Sequence, residues 1–82
     1  SNQRPSLYDY FIECVTQGKL DYVKKIVESG MLSKKTLIAG FCTAQIHVQV
    51  DVERYLRTTE QLAFINVPGM SYDKLFHIYN DL

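Results

Sequence analysis

The chain has 82 residues, nine Lys plus Arg against nine Asp plus Glu, and 46% hydrophobic side chains. That length excludes a dinucleotide-binding α/β domain, a TIM barrel and a pair of independent cores. The composition is that of a folded domain, too apolar for a disordered tail. A net charge of zero removes any global field pulling the chain toward nucleic acid, anionic lipid or an acidic substrate.

In chain order, residues 1–5 read as an N-terminal tail, with Ser1-Asn2 matching a cloning remnant. Residues 6–82 read as a single small helical domain that belongs to a longer chain. Ser6 is an N-cap candidate, and Leu7, Tyr10, Phe11, Cys14 and Val15 follow on one helical stripe. Gln17-Gly18 breaks this first helix. A second runs from Lys19 to Ser29 with Leu20, Val23, Ile26 and Val27 inward, and Gly30 ends it. Ser33 opens a third helix carrying Leu37, Ile38, Phe41 and Ala44. Gly40 inside it costs about 1 kcal/mol relative to Ala. Asp51 caps a fourth, with Val52, Tyr55, Leu56, Thr59, Leu62 and Ala63 recurring at helical intervals until Asn66, Pro68 and Gly69 stop it. Ser71 caps the last, whose apolar side is Tyr72, Leu75, Phe76 and Tyr79.

One segment pulls the other way. Ile46, Val48, Val50 and Val52 alternate with His47, Gln49, Asp51 and Glu53, the period of a half-buried strand, and Leu62–Val67 supplies an apolar run to pair with it. The favoured fold is therefore all-α, five short helices packed as helical hairpins or a small bundle, with 45–50 as an irregular connection. An α+β fold with a hairpin at about 45–53 and 62–67 stays open beside it.

Cys14 and Cys42 each sit in an apolar run and form no CxxC pair, which suits reduced, packed thiols and a reducing, cytoplasmic compartment. No apolar stretch approaches the roughly 18 residues of a membrane span. Cys14, Cys42, His47 and His77 lack zinc-ligand spacing, and the four glycines are scattered instead of forming a phosphate loop. No metal, cofactor or catalytic residue is expected. Lysines concentrate early: residues 17–35 carry five against Asp21 and Glu28, whereas 51–82 carry five acids against three bases. Lys34-Lys35 is the one place suited to phosphate.

Sliding the chain against itself by 30 residues aligns Leu7 with Leu37, Phe11 with Phe41, Asp21 with Asp51, Lys24 with Arg54 and Ile26 with Leu56. Within the first copy, a helix ending in small Cys14, a Gln-Gly turn, Leu-Asp-x-Val-Lys-Lys-Ile-Val and a Ser-Gly terminus resemble the helix–turn–helix half of an ankyrin repeat over residues 7–30. Residues 37–57 match in part: Thr36-Leu37 stands for the family's Thr-Pro-Leu, and DVERYL resembles its second helix. Val48 occupies the place of the inter-helix Gly, and the spacing is near 30 where the family has 33. The last sixteen residues fall outside the resemblance.

The resemblance implies a non-catalytic protein-interaction or scaffold domain whose partner is another protein or the rest of its own chain. Its surface would run through Met31 to Lys35 and the turn around Gln45 to Gln49, with Lys34, Lys35, Gln45, His47 and Gln49 as contact residues. Independently of it, Tyr8, Tyr22 and Tyr72 lie near the stripe edges, where half-exposed aromatics serve as anchors. Charge reversal at Lys34 and Lys35 should then weaken partner capture with little effect on melting. Two other classes remain: a small nucleic-acid-binding regulator using Lys34-Lys35, and an accessory helical subdomain of an enzyme. The marginal core and high aromatic content also fit a homodimer.

Overall fold

The computed structural model describes residues 6–82, and every regular element among them is helical. Helix α1 spans Leu7–Thr16, α2 Leu20–Glu28, α3 Lys34–Ile46 and α4 Val50–Arg57; a 3-10 helix covers Glu60–Asn66, and α5 runs Tyr72–Asp81. The all-α expectation is met, with six helical segments where five were expected. The three serine caps are as expected: Ser6, Ser33 and Ser71 hydroxyls accept from the amides of Asp9, Thr36 and Lys74 at 3.1, 3.1 and 3.3 Å. Each satisfies a backbone donor that the first helical turn leaves without a partner.

The first four helices are one hairpin made twice. In the first turn Gly18 sits at φ 69°, its N–H donating to Val15 O at 3.0 Å while Lys19 N–H donates to Cys14 O at 2.9 Å. In the second, Val48 sits at φ 55°, its N–H donating to Gln45 O at 3.2 Å while Gln49 N–H donates to Ala44 O at 2.8 Å. Every donor and acceptor moves by 30 positions, as do the starts of α2 and α4. The echo in the sequence is a repeat in the backbone.

The hairpins stack through matching elements: α1 lies on α3 and α2 on α4. Helix α3 is the central rod, touching α1, α4 and the 3-10 helix. Phe11, Val15, Val23, Leu37, Ile38, Ala44, Val52 and Leu56 fill the space between, all essentially without exposure. Gly40 is what lets the two rods approach: the Phe11 ring lies where a side chain at residue 40 would begin.

Three readings are corrected. The strand alternative fails because Ile46 ends α3, residues 47–49 make the turn, and Val50–Val52 begin α4; Leu62–Asn66 are 3-10 helix. Helical periods on both sides bury Ala44 and Val52, whereas a lone two-stranded hairpin is marginal in water. Asp51 is not the N-cap of the fourth helix. Gln49 occupies that position without a side-chain cap, and Asp51 lies in the first turn. The fourth helix also stops earlier than its apolar spacing suggested. The Thr58 and Thr59 hydroxyls donate to Tyr55 O and Leu56 O at 2.6 and 2.7 Å, competing with helical continuation. The 3-10 geometry that follows brings Leu62 and Ile65, three apart, onto one buried face and leaves Ala63 exposed. The expected tail at 1–5 lies outside the described residues.

Candidate functional site

The two matching turns lie side by side, and one residue pins them. The Gln49 side chain reaches back to the first hairpin, its Nε2 donating to Thr16 O at 2.7 Å. Its amide occupies the space where residue 18 would carry a Cβ, so this contact and the positive φ both call for Gly18. Gln49, expected to face a partner, faces inward.

Its neighbours do the opposite. Ile46, Val48 and Val50 are 75%, 74% and 50% exposed, and His47 between them is exposed too. Three aliphatic side chains thus stand in water at one end of the stack, on a turn held from behind by Gln49. Val48 is the only non-glycine residue with positive φ among the described residues. A β-branched side chain in that conformation is strained by about 1–2 kcal/mol, and an exposed one recovers nothing by packing.

Beside this tip a chain of polar contacts crosses four elements. Tyr72 OH donates to Gln45 Oε1 at 2.6 Å, Gln45 Nε2 to Glu53 Oε1 at 3.0 Å, and Arg57 Nη2 to the same oxygen at 3.1 Å. Asn66 Nδ2 closes it on Arg57 O at 3.0 Å. Of the expected contact residues, Gln45, His47, Gln49 and Tyr72 are therefore gathered at one end of α3.

Lys34 and Lys35 are at the other end, about 20 Å away along a 13-residue helix. Each already has an aromatic partner: Lys34 Nζ is 4.5 Å from the Phe64 ring centre and Lys35 Nζ 4.7 Å from that of Tyr79. Lys19 over Tyr22, Lys24 over Tyr55 and Arg57 over Phe41 repeat the arrangement. Among the described residues, five of the eight basic side chains are thus seated on the protein's own rings. Charge reversal at Lys34 and Lys35 would remove two such contacts, so a modest fall in melting temperature is expected of it. Tyr8 and Tyr22 are half-exposed on the first hairpin.

A concavity of about 390 Å³ lies between α3 and α5, lined in part by Ile38, Ala39, Cys42, Tyr72, Leu75 and Phe76. Burial pushes the Cys42 thiol up from its usual range, which lowers its thiolate fraction and its value as a nucleophile. Cys14 is buried in the core, and both cysteines are free thiols. Among the described residues no three His, Cys, Asp or Glu side chains converge to hold a metal, and no helix is long and apolar enough to cross a membrane.

The sequence does not reveal Ile46 and Val50 as exposed, because their alternation imitates a strand. The signal was present in the 30-residue alignment, which sets Val48 on Gly18 and so marks a turn. Compared with family models, curated proteins and solved structures, the chain has no match.

Proposed function

We propose that this is a non-catalytic protein-interaction domain, a stack of ankyrin-like helical hairpins that takes a partner protein at the tip formed by Ile46, His47, Val48 and Val50. The observation that carries this reading is Val48: strained in its backbone and exposed in its side chain, it stabilises nothing within the chain itself. Strain that persists without internal return is a mark of a functional position. Rigid presentation by the Gln49 pin supports it further, because a preordered apolar surface gives up less entropy on binding. The seating of Lys34 and Lys35 on aromatic rings favours protein over nucleic acid, since backbone phosphates are bound by cations free to displace counterions.

A photo-crosslinking side chain placed at residue 46 tests the reading, with the same group at exposed Lys25 on α2 as control. In producing cells, residue 46 is expected to give a discrete protein adduct and residue 25 none. Reversing charge at Lys34 and Lys35, at the far end of α3, should leave that adduct in place. An adduct at twice the chain mass identifies the partner as a second copy. Equal labelling from both positions, or an adduct removed by nuclease, contradicts the proposal.

A further inference from the structure

We infer that α5 is a displaceable strap, lying over α3 where the first helix of a third hairpin would stack, and opening while the other helices stay folded. The repeat locates it. Phe11 of the first hairpin packs on α3 at Gly40, and its counterpart 30 residues on, Phe41, lines a hollow with Ile65, Met70 and Leu75. The 3-10 helix and α5 therefore cover in the second hairpin what α3 covers in the first.

The cover is thin on the α5 side. Leu75 is the one side chain of α5 that is fully buried, Ile78 and Tyr79 are partly so, and Tyr72 and Phe76 are each 63% exposed. The apolar hollow of about 390 Å³ remains between α5 and the Ile38–Ala39–Cys42 face of α3. Helix α1, of equal length, buries Phe11, Cys14 and Val15.

One contact ties each end of the strap. Tyr72 OH reaches Gln45 near the C-terminus of α3, and Tyr79 lies under Lys35 near its N-terminus, so α5 runs antiparallel to α3. Ties of this kind are individually weak. The connection Val67–Ser71 contains Pro68 and Gly69, the latter at φ 83°, and within it only Met70 packs against the core. The 3-10 helix is held differently, by buried Leu62 and Ile65 and the Asn66 bond to Arg57 O. The joint for opening therefore lies after Asn66, and lifting α5 uncovers Ile38 and Cys42 while Cys14 stays enclosed.

Residue-resolved hydrogen exchange on the whole chain, paired with labelling by a bulky polymer-linked maleimide, reads this out. Amides of α5 are expected to exchange together, at least tenfold faster than those of α3, and Cys42 to label far faster than Cys14. Leu75→Ala should raise α5 exchange and Cys42 labelling about tenfold or more, with α1–α4 exchange and Cys14 labelling unchanged. Tyr72→Phe, which removes one tie and no packing, should raise them roughly fivefold. Loss of protection spread evenly over α1–α5 in either variant, or equal labelling of both cysteines, overturns the inference.

Discussion

A Gly40→Ala variant is expected to unfold more easily than the parent protein in urea, by up to about 2 kcal/mol, although Ala is the better helix former. Propensity alone favours the substitution by about 1 kcal/mol. Against it stands the Phe11 ring, whose Cζ would lie 2.7 Å from the new methyl and whose Cε2 would be closer still. Phe11 has no exposure and so no free direction in which to move. Overpacking of this kind costs about 1–3 kcal/mol, and more where backbone must shift, so it outweighs propensity. The control is a Phe11→Leu background, where the ring is gone and Gly40→Ala should become neutral or stabilising, a coupling that a double-mutant cycle measures directly. A single Gly40→Ala variant melting above the parent would mean that α1 does not rest on α3 at this point.

The second large effect has the opposite sign. Val48→Gly should stabilise the chain by about 1 kcal/mol, which for a domain of this size is roughly 4–8 °C in melting temperature. Relief of the left-handed strain at φ 55° supplies the gain, and the added entropy of Gly in the unfolded chain takes back part of it. No packing is lost, since the Val48 side chain is 74% exposed. Val48→Ala keeps an L side chain at positive φ and should gain much less. If the tip is the binding surface, the same Val48→Gly change weakens the adduct at residue 46, so stability and binding move in opposite directions. A Val48→Gly protein that melts at or below the parent temperature contradicts the strain argument.

What was legible in the sequence were the devices that act within a few residues. Ser6, Ser33 and Ser71 mark helix starts because a hydroxyl one position ahead of a helix has little else to bond, and Gly18 and Gly30 mark ends because their backbone conformations favour no other residue. The repeat was legible in outline for the same reason: its turns recur at a fixed offset. Illegible parts depend on residues far apart in the chain. Val48 takes a glycine's conformation without announcing it, and the alternation from Ile46 to Val52 then reads as a strand, although it is two helix ends joined out of phase.

The candidate site divides along the same line. Gln45, His47 and Gln49 read as neighbours around one turn, but Gln45 lies in the last turn of α3, and Gln49 is drawn inward by a hydrogen bond to Thr16, 33 positions away. Lys34 and Lys35 read as free charge because nothing local shows that Phe64 and Tyr79 lie beneath them. The stripe on α5 shows an amphipathic helix, but periodicity is silent on how much of the stripe finds a neighbour; here Leu75 does and Phe76 does not.

Every step from fold to tip rests on α1 lying against α3, so that the two turns meet side by side. Nuclear Overhauser spectroscopy on the labelled chain tests this most directly, through the Phe11 ring and the α-protons of Gly40. Strong cross-peaks between them, with the Gln49 side-chain amide close to Thr16 and Gly18, are the predicted result. A Phe11 ring with no peak to Gly40, together with cross-strand α-proton contacts between residues 46–52 and 62–67, would contradict the stacked hairpins and the binding surface built on them.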